Sequence, residues 1–364
     1  MASVVVTITC DWEGWKLEAG DLQAMKMLNE GLSLLSKQNP IPVTHFICPA
    51  YFSRIDPKNE KARETEAQKI LDSGAIKPND EIGVHVHCWK SLALESGINE
   101  KQFNLTPIGL VTATNQYIYR DANVEEDVGY TVPLGAYDLD DATRFIDGAR
   151  TLIQKYLKVK APLATFRCGM WVACDVVFKA LSAANISIDA SAVPFSYIKT
   201  AVKENFGLAN LDSWNIAIWG NTLQTGDPWV RNSLSFATYK NGISGMLDKE
   251  FSQPAKIGGT LEIPDTSMLI PWTNGELMRG HVIQAFELAK EMKKEVYISI
   301  GLHQENSGKA ASFAVKGYPV SDEEKKRRTN GIVLAVVRAL STLETSGIPM
   351  SFLTVSEAAK KALG

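Results

Sequence analysis

The stretch EIGVHVH, residues 81–87, decides how this chain folds. One valine separates its two histidines. In an extended segment, residues two apart share a face, so Gly83, His85 and His87 point one way while Val84 and Val86 point the other. The chain has five histidines in 364 residues, and two stand together on the polar side of a strand whose other side is apolar.

Three further segments repeat this arrangement. In SVVVTITCDWE (3–13), Val4, Val6, Ile8 and Cys10 form an apolar face. Continued strand geometry puts Val5, Thr7, Thr9, Asp11 and Glu13 on the other. In LATFRCG (163–169), Arg167 shares parity with Leu163 and Thr165. In VYISIGLH (296–303), His303 shares parity with Tyr297, Ser299 and Gly301. Each strand therefore has a face fit to pack under helices and an ionisable residue near its C-terminal end on the other face.

Helical periodicity fills the intervals, over 21–38, 59–74, 139–158, 174–185, 275–293 and about 322–346. Further strands are expected at 43–49, 186–191, 260–266 and 350–355. Strands alternating with helices predict an α/β fold with a mainly parallel sheet or barrel. In a barrel the polar strand faces look inward, and the C-terminal mouth is where catalytic groups assemble. Residues 91–138 and 192–258 break the rhythm. They are long, irregular and aromatic-rich, and are read as insertions in a single domain spanning 1–364.

Composition narrows the function. The chain is 45% hydrophobic and 22% charged, with a formal net charge of −3. This balance argues against a nucleic-acid partner, and the one basic run, EEKKRR (323–328), is half cancelled by its own glutamates. No apolar run approaches the roughly 18–20 residues of a membrane span. The N-terminus, MASVVVTITCDW, carries no leader pattern, which makes the cytoplasm the expected location. Five cysteines without a CxxC pair read as reduced, buried thiols. Oligomeric state is not legible.

Two imidazoles and a carboxylate are a ligand set for a catalytic divalent metal with a position left for water, zinc ahead of cobalt, manganese, iron or nickel. His85 and His87 are the candidate ligands, Asp11 is base or ligand, and Glu13 is ligand or a supporting group. Arg167 would orient and ionise a carboxylate, and His303 would protonate a leaving group. The competing reading makes the H-x-H pair hydrogen-bonded structure, Asp11 a turn residue and Arg167 a structural ion pair. His45 and His281 are read as structural.

With these residues in view, the chain resembles the polysaccharide deacetylase family (carbohydrate esterase family 4, the NodB-homology domain). TCDW looks like the family's T-F-D-D motif, with Asp11 at the first Asp. VTHFICPAYF resembles its second strand, EIGVHVH its metal motif, FRCGMW (166–171) its R-x-P-x-G motif, ISIDASAVP (186–194) its D-S-S strand, and ISIGLHQE (298–305) its last, histidine-bearing motif. The resemblance implies a distorted, often incomplete (β/α) barrel that removes acetyl groups from N-acetylated sugars using a divalent metal.

The chain also departs from that pattern. Trp89 stands where the family's second metal-site histidine usually falls, so His87 must substitute. Trp12 replaces the second Asp, and the R-x-P-x-G proline is missing. Either Glu13 supplies the missing carboxylate, or Asp11 is the ligand with Thr9 at the base position. Trp89, Trp171 and Trp219 are candidate substrate contacts, since aromatic rings can stack on sugars; packing of the insertion's own core is the alternative for its tryptophans. The expected substrate is a carbohydrate or a small amide. A metal-independent hydrolase of a C–N bond and an inactive glycan-binding barrel are the rival readings.

Overall fold

The computed structural model describes residues 2–13, 17, 19–35, 40–98, 134–169, 173, 175–192, 255–257, 259–263, 267–269, 275–303 and 347–364. The chain opens with β1 (Ser3–Trp12), α1 (Ala19–Leu35), β2 (Thr44–Ile47), the short α2 (Ala50–Ser53), α3 (Glu60–Asp72), β3 (Glu81–Val86) and α4 (Lys90–Glu95). It continues through α5 (Leu139–Tyr156), β4 (Thr165–Cys168), α6 (Asp175–Ala183), β5 (Ile188–Asp189), β6 (Ala255–Ile257), β7 (Thr260–Glu262) and β8 (Ser267–Leu269). The last elements are α7 (Gly275–Met292), β9 (Glu295–His303), β10 (Met350–Phe352) and α8 (Val355–Leu363).

All the described strands join one sheet, in the order β6-β7-β5-β4-β3-β2-β1-β9-β8, with β10 also beside β1. Every pairing is parallel except β6 with β7. β1 lies along β9 from Ser3 to Asp11. Its other edge is divided: Val4–Val6 pair with β10 and Thr9–Trp12 pair with β2.

The sheet is strongly curled. β1 and β4 are separated by β2 and β3, which in a flat sheet would set them about 14 Å apart. Yet Arg167 of β4 bonds directly to Asp11 of β1 at 2.8 Å. The architecture is a distorted (β/α) barrel, as the strand–helix alternation predicts.

The core forms on both faces of this curl. Outside, Val4, Val6, Ile8, Cys10 and Trp12 share one buried cluster with Met25, Leu28 and Leu32 of α1, and with Phe145, Ile146, Ala149 and Ile153 of α5. The α5 residues recur at helical spacing on one buried stripe, and Asp138 caps the helix by accepting from the Asp141 N–H at 2.8 Å. Each large side chain so buried contributes about 1.5–3 kcal/mol. Inside, Phe46, Ile188, Ala190, Leu261 and Ile263 pack against Val355 and Ala359 of α8. Val355 N–H donates to Thr44 Oγ1 and Ser356 N–H to Glu81 Oε2, both at 3.0 Å. α8 therefore stoppers the end where β2 and β3 begin and leaves their C-terminal ends to the polar residues.

Three local expectations need correction. The strand read at 350–355 stops at Phe352, and Val355 begins α8. Thr354 and Glu357 form a reciprocal capping box, which makes the apolar Val355 a helix start rather than a strand residue. The first irregular stretch also begins late, because α4 carries regular structure to Glu95. The strand read at 260–266 ends at Glu262 and gains an antiparallel partner in β6. The helix read at about 322–346 and nearly all of 192–258 lie outside the described residues. No described helix is long and apolar enough to cross a membrane.

Candidate metal centre

Alternation along β1 sets the site. Trp12 turns outward into the helical layer and is fully buried there. Its indole Nε1–H donates to His45 Nδ1 at 3.0 Å, so His45 carries its proton on Nε2 and donates it to Asp80 Oδ2 at 3.2 Å. This outward chain gives His45 a structural role. Thr9, Asp11 and Glu13 keep the opposite parity and reach the interior.

Two linked constellations form there. The first is Arg167 with Asp11. Nη1 of Arg167 donates to Asp11 Oδ1 at 2.8 Å and to Thr9 Oγ1 at 2.9 Å, and Nε donates to the Ala190 carbonyl at 2.8 Å. The guanidinium also lies over the Phe46 ring, 4.5 Å from its centroid. Arg167 is wholly buried and Asp11 is 2% exposed, so water screens this ion pair little.

The second gathers histidines around Glu13. Oε2 of Glu13 lies 3.1 Å from His85 Nε2 and also contacts His87 Nε2, while Oε1 lies 2.8 Å from His303 Nδ1. Burial pushes the Glu13 carboxyl up, but the neighbouring His303 and His87 outweigh it and hold the group well below the usual carboxylate range. His303 joins the two constellations, its Nε2 standing 3.7 Å from Asp11 Oδ2.

Among the described residues, one group of histidine, cysteine or carboxylate side chains converges closely enough to share an ion. Its members are Glu13, His85 and His87, whose ligand atoms lie within 4.8 Å of one another. Asp11 is not in that group. His85 is also oriented from behind: its Nδ1 lies 2.9 Å from the Arg167 carbonyl, which can only accept. That bond places the ring proton on Nδ1 and turns the Nε2 lone pair toward Glu13, the orientation a metal-binding histidine needs. The two rings stand edge to face, 4.9 Å apart.

The structure thus brings Asp11, Glu13, His85, His87, Arg167 and His303 into one buried interior. Trp89 is buried at the N-terminus of α4, two residues past His87, with the Arg54 guanidinium 5.5 Å from its ring centroid. Trp171, Trp219 and the side chain of His281 lie outside the described residues.

Sequence reasoning missed Gly169. A Cβ there would come within 2.5 Å of the Val86 carbonyl and 2.8 Å of His87 Nδ1, so only glycine lets β4 end against the His87 ring. Its signal was available in FRCGMW, two positions past the arginine. The adjacency of Asp189, the acid of ISIDASAVP, to Glu262 was also missed, because only the β5–β7 pairing sets the two side by side.

No family model matches the chain, and no curated protein matches it. Among solved structures, it is similar to a provisionally named polysaccharide deacetylase from Mycobacterium smegmatis. The two are 10% identical over 100% of this chain and 91% of that one, with a TM-score of 0.47. It is also similar to a family 4 acetyl xylan esterase from Clostridium thermocellum, solved with a cobalt ion, at 11% identity over 98% of this chain and 91% of that one, TM-score 0.37. A 4-alpha-glucanotransferase from Thermococcus litoralis is similar at 12% identity over 99% of this chain but 41% of that one, TM-score 0.46. None of these scores reaches one half.

Proposed function

We propose that this protein is a metal-dependent hydrolase that removes an acyl group from an N-acylated sugar or sugar conjugate. The observation that carries the reading is the crowding of His85 Nε2, His87 Nε2 and His303 Nδ1 onto the single buried carboxylate of Glu13. With the His85 ring proton committed to the Arg167 carbonyl, a lone pair on Nε2 faces a carboxylate lone pair 3.1 Å away. Two such acceptors approach only if positive charge lies between them. A divalent metal held by Glu13, His85 and His87 meets that need, and zinc suits two imidazoles and one carboxylate.

Bound there, the metal would polarise the scissile carbonyl and acidify a water. The protein's own groups supply the rest. Asp11, held in place by Arg167, takes a proton from the attacking water. His303, between Asp11 and Glu13, delivers a proton to the leaving nitrogen. A sugar substrate is favoured by the resemblance to the polysaccharide deacetylase family that the ordered motifs TCDW, EIGVHVH, FRCGMW and ISIGLHQE carry.

The test uses purified protein and a panel of N-acetylated sugars, with acetate release and bound metal measured together. The reading expects about one metal per chain, turnover abolished by chelation and restored by zinc or cobalt, and no stoichiometric metal in the His85→Ala/His87→Ala variant. Stoichiometric metal in that variant would overturn the ligand assignment. Turnover that survives exhaustive chelation would instead favour the metal-independent reading, in which protons supply the charge among the histidines.

A further inference from the structure

We propose that Asp189 and Glu262 form a buried carboxyl pair sharing one proton, and that this pair positions Arg167 by pinning the end of β5. The two residues are directly paired in the parallel β5–β7 ladder, so their side chains leave adjacent strands on the same face. Both are completely buried. Two carboxylates so placed in a dry interior cannot both remain ionised; one proton must be held between them.

The hydrogen bonds leave one oxygen of each group for it. Asp189 Oδ1 accepts from the Ser191 hydroxyl at 2.6 Å, and Glu262 Oε1 accepts from the Ala192 N–H at 2.9 Å. The other oxygens, Asp189 Oδ2 and Glu262 Oε2, are buried and meet no N–H or O–H donor among the described residues. Burial pushes both groups up, Glu262 most strongly because Asp189 adds its charge; Arg167 is the charged group that opposes the rise at both.

The consequence lies in the three residues the pair holds. Ser191 Oγ accepts from the Cys168 N–H at 2.8 Å, Ala192 is tied to Glu262, and Ala190 N–H donates to the Phe166 carbonyl at 2.9 Å. Residues 190–192 are therefore anchored to both β4 and β7. The Ala190 carbonyl, at the centre of this anchor, accepts from Arg167 Nε at 2.8 Å. Asp189 and Glu262 are positioning residues: they fix the acceptor that sets the angle of the guanidinium serving Asp11. The benefit to catalysis rests on the hydrolase reading, but the test below reads no activity and stands or falls separately.

Infrared difference spectra of the folded protein at neutral pH, wild type minus Glu262→Gln, should show a protonated carboxylic C=O stretch that shifts in D2O. Absence of that band means both groups are ionised and overturns the proposal. Exchange protection of the Arg167 Nε–H, followed by NMR, reads the positioning. Glu262→Gln, whose amide can donate to Asp189 and accept from Ala192, should preserve it. Glu262→Leu should lower it roughly tenfold, the fold-change of one lost buried hydrogen bond. Should Glu262→Leu fail to fold, Ser191→Ala removes the link between Asp189 and Cys168 and is expected to lower protection in the same direction. Unchanged protection in the folded Leu or Ala variant would overturn the positioning role.

Discussion

Arg167 and Asp11 come from strands separated by two others, yet their side chains meet at 2.8 Å inside the curl. The pair fastens the barrel across its interior and places the Asp11 carboxyl group beside His303. Both partners are buried, so removing one strands the other. Arg167→Met is expected to cost about 3–5 kcal/mol of stability, read by denaturant unfolding. Arg167→Lys should recover only part of this loss, because one ammonium cannot span Ala190, Thr9 and Asp11 as the guanidinium fork does. Equal stability of Arg167→Met and wild type would show that the pair does not brace the fold.

The assignment of the carboxylate ligand makes a separate prediction. Glu13 converges with His85 and His87, whereas Asp11 is engaged by Arg167. Glu13→Gln should therefore weaken zinc binding by more than the roughly 10–100-fold typical of a supporting residue. Asp11→Asn should keep stoichiometric metal while losing turnover. Competition with a chromophoric chelator measures both affinities. The reverse pattern would make Asp11 the ligand.

That choice between Asp11 and Glu13 shows what a sequence can carry. Strict alternation puts Asp11 and Glu13 inward and Trp12 outward, and the same rule aligns His85, His87, Arg167 and His303, so the gathering of these groups was legible strand by strand. Which carboxylate joins the histidines was not, because the barrel's curl, rather than strand parity, decides which of two inward groups reaches His85. The Asp189–Glu262 contact was illegible for a related reason: β5 and β7 are two and three residues long, too short to show a period, and their register appears only once they pair. The closing helix α8 was hidden by Val355, an apolar β-branched residue that reads as strand until the Thr354–Glu357 cap is recognised.

Gly169 offers a test of geometry without touching a ligand. The methyl of Gly169→Ala would press on the Val86 carbonyl and on the His87 ring. Overpacking of this kind costs about 1–3 kcal/mol, and backbone cannot yield as a flexible side chain would. The His87 ring is therefore expected to move, lowering metal affinity about 10–100-fold in a protein that still unfolds cooperatively. Calorimetric zinc titration beside a thermal melt distinguishes this from general unfolding. Unaltered affinity would show that His87 has room the structure does not provide.

The Trp12–His45–Asp80 chain predicts a pH dependence of stability. Burial alone would push the Asp80 carboxyl up, but the hydrogen bond from His45 and the backbone N–H of Lys77 outweigh it and leave the group below its ordinary value. A carboxyl lowered on folding binds its proton more weakly in the native state than in the unfolded one. Its stabilisation is present above the unfolded value of about 3.9, and is lost as pH falls from there through the folded value. Asp80→Asn removes this contribution. The stability difference between wild type and variant should be largest near neutrality and should shrink on acidification below about pH 4. Urea unfolding at a series of pH values measures it, with tryptophan fluorescence reporting on Trp12, whose indole N–H begins the chain. A difference that stays constant across the acid range would show that Asp80 titrates alike in both states and that the hydrogen bond from His45 contributes nothing to holding it ionised.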